Sequence, residues 1–202
     1  MKMKKLVALV TAAALCLGMS LTAFAADDKE VSPEELQVGW SEDGTLGVVT
    51  KELTEKEKAD IAEAAKKALA NQYNVTGKDV VVMGVGDYTL FDMTDPDNPK
   101  VITDGKVPNG GANFQFYLGS ETKEGYVNGA TIYVAHQKAD GSWEIIEGKL
   151  SRVAGEWYVE VKMDSFSPVA FLKVMSNGKI VEVDRRGEPV KPATTKSPKT
   201  GE

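Results

Sequence analysis

Residues 156–163 alternate strictly, with Trp157, Val159, Val161 and Met163 on one side and Glu156, Tyr158, Glu160 and Lys162 on the other. Successive side chains of an extended strand point to opposite faces, so this pattern predicts a strand with one face in a core and one in water. Residues 112–118 repeat it, with Phe114, Phe116 and Leu118 together, while 79–85 is a continuous apolar run of the kind covered on both faces. Asn128-Gly129, Asp140-Gly141, Asn177-Gly178 and Ala154-Gly155 punctuate these runs where hairpins require positive φ. The spacing predicts strands near 79–85, 87–92, 112–118, 130–137, 142–147, 156–163, 168–174 and 179–183.

Between residues 54 and 71 the period becomes helical. Ile61, Ala65, Ala68 and Leu69 share one stripe, the far face is Lys and Glu, and Thr54 with Glu57 forms a capping-box pair. The stripe is small, which suits close packing on a sheet. Together these elements predict a mainly β protein, α+β by content. The architecture is an antiparallel β-sandwich or a partly open barrel of about 7–8 strands, with one amphipathic helix covering an edge or end.

The ends have a different composition. Lys2, Lys4 and Lys5, an apolar run from Leu6 to Leu17, and Ala23-Phe24-Ala25 before Ala26 predict a secretory signal over 1–25, cut by signal peptidase. Cys16 is not placed for lipidation, because Leu15 precedes it where a small residue is needed. Residues 26–44 read as a polar lead-in, 45–184 as the folded domain, and 185–202, with three prolines and no aromatic residue, as an extended spacer.

Removal of the signal takes the single cysteine, so thiol nucleophiles, disulfides and thiolate metal sites are excluded from the mature chain. It also takes three lysines, leaving 21 basic against 30 acidic residues and a net charge of -9. Such a chain repels nucleic acid and anionic lipid.

Two stretches resemble known families. Residues 132–174 contain an aliphatic strand ending in His136, a D-G-x-W-E hairpin over 140–144, and a closing S-F-S-P-V-A segment over 165–170. They resemble the β-rich module found near the C-terminus of many Gram-positive surface proteins, a likeness that covers roughly residues 107–174. This implies an extracellular structural module and transfers no catalytic residue. Ser197-Pro198-Lys199-Thr200-Gly201 resembles a sortase sorting motif of the LPxTG class, with Ser197 where leucine is usual. The resemblance implies that sortase cuts after Thr200 and joins its carbonyl to peptidoglycan, with Pro198 shaping the bend and Gly201 leaving. In that family an apolar span and a basic tail follow the motif. The expected location is therefore the cell wall if the native chain continues past Glu202, and otherwise the medium.

Within the domain, His136 reads as a structural or rim histidine on the side of Ile132 and Val134, with no nucleophile pattern beside it. Asp92, Asp95, Asp97 and Asn98 are weak candidates for calcium, because the glycine and distal glutamate of a calcium loop are missing and the prolines signal turns. Gly84-Val85-Gly86-Asp87 lacks the rest of a dinucleotide loop, and Asn74-Val75-Thr76 matches a glycosylation acceptor, a reading that a signal of bacterial type leaves mostly empty. Trp143, Trp157 and Tyr158 could form a sugar-stacking platform, but alternation assigns Trp157 to the core. No cofactor is expected.

The leading reading is an exported, wall-anchored, non-enzymatic surface protein used in display or adhesion. The alternative is a freely secreted module that binds a glycan or a host-surface ligand. The third is a secreted glycoside hydrolase built from the plentiful carboxylates.

Overall fold

A computed structural model of the chain describes residues 38–75 and 79–190. The expected signal with Ala23, Ala25 and Ala26, most of the expected lead-in, Thr76, and the sorting-like residues 197–201 lie outside the described residues. Among the described residues no helix is long and apolar enough to cross a membrane.

Among the described residues ten strands and one α-helix form: β1 (Val38–Ser41), β2 (Leu46–Thr50), α1 (Glu55–Tyr73), β3 (Asp79–Asp92), β4 (Lys100–Ile102), β5 (Ala112–Gly119), β6 (Thr131–Gln137), β7 (Trp143–Val153), β8 (Glu156–Met163), β9 (Pro168–Ser176) and β10 (Lys179–Ile180). All pairings are antiparallel. The order runs β9-β6-β7-β8-β5-β1-β2-β3, and β3 pairs back onto β9, so eight strands close into a barrel with β4 and β10 as short additions. The sheet is thus neither a sandwich nor partly open. Closure depends on pairings that local patterning does not report.

Two long strands make the closure possible. β3 pairs with β9 through Asp79–Asp87 and with β2 through Tyr88–Asp92, so one strand spans the two predicted segments 79–85 and 87–92. A bulge between Val82 and Gly84 switches its parity. Val80 and Val82 before the bulge, and Val85 after it, all pack toward the helix, while Tyr88 and Leu90 enter the barrel. This switch is why the run looked continuously apolar. At Gly86 a Cβ would lie 2.7 Å from Thr50 Cγ2 and 2.8 Å from the Tyr88 ring, so only glycine allows the strand to pass from one neighbour to the other without displacing them. β7 does the same job, pairing with β6 up to Lys149 and with β8 from Lys149 to Val153. It continues well beyond the predicted end at residue 147.

Eight strands enclose an interior that side chains can fill. Phe114, Phe116, Leu90, Ile132, Leu150, Met163 and Phe171 fill it and are essentially inaccessible. Phe116 and Phe171 rings stand 4.8 Å apart, and Phe114 meets Phe166 at 4.7 Å. The residues of 156–163 assigned to the core are all buried, and so are Phe114, Phe116 and Leu118.

Helix α1 starts as expected, with Thr54 capping Glu57 N–H and the Glu57 carboxylate accepting from Thr54 N–H. It covers a face of the barrel rather than an edge or end. Ala65, Leu69 and Tyr73 pack with Tyr133, Ala135, Ala170, Leu172 and Val174 from the outer faces of β6 and β9. Here β6 and β9 are buried on both sides.

Two boundaries also move. β1 lies inside the expected lead-in 26–44, where a strand of only four residues containing glycine leaves little periodic signal. Residues 185–190, assigned to the spacer, join the fold instead. Val190 N–H donates to the Glu182 carbonyl, and Asn74 Nδ2 donates to the Arg186 carbonyl. Ala154-Gly155 and Asn177-Gly178 form hairpin turns with positive φ at both positions, and Asp140-Gly141 turns β6 into β7. Asn128-Gly129 is no hairpin: Asn128 Oδ1 accepts from Arg152 N–H and Gly129 N–H donates to the Leu150 carbonyl, which pins the β5–β6 crossover to β7.

Trp157→Ala should cost about 3–5 kcal/mol in urea unfolding, because it empties a site in the barrel, whereas Glu160→Ala on the wet face should cost under about 1 kcal/mol.

Alkaline pH should weaken the helix–barrel seam. Tyr133 is pushed up to about 12, chiefly by burial, and Tyr73 to about 12 by burial and by its hydrogen bond to Glu147. Between their ordinary value of 10.0 and about 12 the folded protein keeps phenolic protons that the unfolded chain has lost. Stability is therefore full below pH 10 and falls as pH rises toward about 12. Tyr133→Phe should flatten that fall in denaturant titrations, and a slope unchanged by it would refute the assignment.

Candidate functional site

One end of the barrel gathers the three segments that carry the surface-module resemblance. His136 ends β6 on its interior face, and its side chain is 1 % exposed. Glu144 on β7 is its direct register partner, and Val169 on β9 is the partner on the other side. Ser167 lies two residues before Val169, and so on the same face.

The three side chains form a chain of hydrogen bonds. His136 Nδ1 is 2.9 Å from Glu144 Oε1, and Nε2 is 3.0 Å from Ser167 Oγ. Ser167 Oγ also donates to the Gln137 carbonyl. His136 Nε2 reaches the same hydroxyl, so the three side chains follow the order carboxylate, imidazole, serine, which resembles that of a hydrolytic triad. What the network does directly is clasp the β6–β7 hairpin to the segment entering β9.

Asp164 stands beside this chain at the end of β8. Among the described residues, His136, Glu144 and Asp164 are the three whose potential ligand atoms all lie within 4.8 Å of one another. Asp92, Asp95 and Asp97 do not converge in this way. Asp92 instead accepts from Thr94 N–H at 2.9 Å and Thr94 Oγ1 at 2.7 Å, closing a turn that holds its carboxyl below its ordinary value. Gly84 to Asp87 lie within β3, and Asn74 caps α1.

A second site lies on the outer wall. Trp40 of β1 meets Tyr158 of β8 edge-on at 5.8 Å, and Tyr158 meets Tyr117 of β5 at 5.7 Å. Tyr117 is 41 % exposed, and its hydroxyl donates to Glu156 at 2.9 Å. Burial and then this carboxylate push its pKa up to about 12. Trp40 Nε1 and Ser151 Oγ are buried without a hydrogen-bond partner among the described residues. Beside the row is an open groove of about 410 Å³, lined by Asn113, Gln115, Glu147, Lys149, Glu160 and Lys162 among others. Gln115 Nε2 donates to Glu160 across it at 3.2 Å.

The expected trio of Trp143, Trp157 and Tyr158 is dispersed. Trp157 is in the core with Nε1 donating to Thr122 Oγ1, and Trp143 packs beside α1. Tyr158 alone belongs to the outer row. Tyr117 could have been found from its polar-phase position in the 112–118 alternation, but Trp40 had no such signal.

The chain matches no family model, no curated protein and no solved structure. Its chemistry is read from its own side chains.

Ser167→Ala should cost about 1–3 kcal/mol, because it strips the Gln137 carbonyl and His136 Nε2 of their partner. Ser165→Ala, which removes only a bond to the neighbouring Asp164, should stay within about 0.5 kcal/mol. Equal losses in urea melts would show that the clasp contributes nothing.

Proposed function

We propose that the chain is an exported, wall-anchored, non-enzymatic surface protein whose barrel serves display or adhesion. The observation that carries this reading is a barrel interior filled by its own aromatic side chains, which leaves contact chemistry to the outer wall. There, exposed Tyr117 and half-buried Trp40 flank the buried Tyr158 beside a groove of amides, carboxylates and lysines, a combination suited to sugar rings and their hydroxyls. The signal-like start and the sorting-like residues 197–201 support the address.

The same aromatic row equally favours the second reading, a freely secreted glycan-binding module. One experiment separates them. The chain is extended past Glu202 by an apolar span of roughly 20 residues and a basic tail, and expressed in a sortase-bearing host. The product should become wall-linked, Thr200→Ala should abolish the linkage, and the displayed protein should hold cells to glycan-coated surfaces. Trp40→Ala and Tyr117→Ala should weaken that hold at least several-fold. Release into the medium, or linkage unchanged by Thr200→Ala, would reject anchoring, and adhesion unaffected by either aromatic variant would reject the outer row.

A further inference from the structure

We propose that His136, Glu144 and Asp164 form a binding site for one divalent transition-metal ion of the zinc class at the mouth of the barrel. The starting point is geometry: the buried His136 ring faces the Glu144 carboxylate through Nδ1 at 2.9 Å and Ser167 Oγ through Nε2 at 3.0 Å.

A third residue joins them: Asp164 brings a second carboxylate, so that one potential ligand atom from each of the three residues lies within 4.8 Å of the other two. Ligand atoms on a tetrahedral zinc, with bonds of about 2.0–2.1 Å, are roughly 3.3 Å apart. The His136–Glu144 separation is within a few tenths of an ångström of that. Asp164 is the exposed member of the set.

The surroundings match what an imidazole ligand requires. A metal-bound histidine donates its other N–H to an outer acceptor that fixes the ring, and Ser167, held by the Gln137 carbonyl, is that acceptor. One nitrogen and two carboxylates suit zinc or manganese better than calcium, which takes six to eight oxygens. Three protein ligands leave a fourth position to water. The ion would tie β6, β7 and the β8–β9 connection together at the end where the barrel meets solvent, without any thiol.

The test uses the full secreted chain, stripped with a chelator and titrated with zinc chloride by calorimetry, with manganese and calcium for comparison. Saturable binding of one zinc per chain is expected, together with a rise in Tm on the order of 5 °C at excess metal. Asp164→Asn, an exposed change that leaves the fold intact, should weaken zinc at least about 10-fold, as should Glu144→Gln. Ser167→Ala should weaken it about 10–100-fold through the ring's orientation. Absence of saturable binding would overturn the proposal. Zinc affinity unchanged by Asp164→Asn would place the ion on other surface carboxylates and overturn it equally.

Discussion

Closure of the sheet through the β3–β9 pairing is the constraint on which everything else in this molecule depends. Without it, β3 and β9 would each present a row of unpaired peptide groups, and the aromatic interior would be open along one side. The pairing needs strands that serve one neighbour at one end and another at the other. β3 and β7 do so by bending at places where a side chain would not fit. At Gly148 a Cβ would stand 2.8 Å from the Glu160 carbonyl, much as Gly86 leaves room for Thr50 and Tyr88. The bulge at Val82/Gly84 adds the change of parity that lets one strand pack outward against the helix and then inward against the barrel.

The interior of the closed eight-stranded barrel is occupied by Phe114, Phe116, Phe166 and Phe171. The two side-chain clusters described above lie at its mouth and on its wall. At the mouth the strand ends deliver His136, Glu144 and Ser167 to one point, because the β6–β7 and β6–β9 registers place them opposite one another. On the wall the β1–β5–β8 order assembles Trp40, Tyr117 and Tyr158 from three distant parts of the chain. At the mouth His136 is buried, Glu144 half-buried and Asp164 exposed, while on the wall Tyr158 is buried and Tyr117 exposed.

Much of this was legible in local pattern. Alternation at 156–163 and 112–118 identified the inward residues, because period two is a property of the extended backbone itself. Thr54 and Glu57 announced the start of α1, because a cap is a local hydrogen-bond exchange. Ala154-Gly155 and Asn177-Gly178 announced hairpins for the same reason. The histidine was correctly placed on the face of Ile132 and Val134, but its partners were not visible. Glu144 is eight residues away and Ser167 thirty-one, and nothing in composition says that they meet.

The sequence by itself thus determined the elements, their inward faces and the turns, since each depends on contacts between residues close along the chain. Only the tertiary structure decided that the sheet closes, that α1 covers a face rather than an edge, that β1 and residues 185–190 belong to the fold, and which side chains share a site. Each of those outcomes is a pairing between distant segments. Its energy depends on register and curvature set by bulges and close-approach glycines, and a single bulge at Val82/Gly84 reverses which faces meet without leaving a periodic signal.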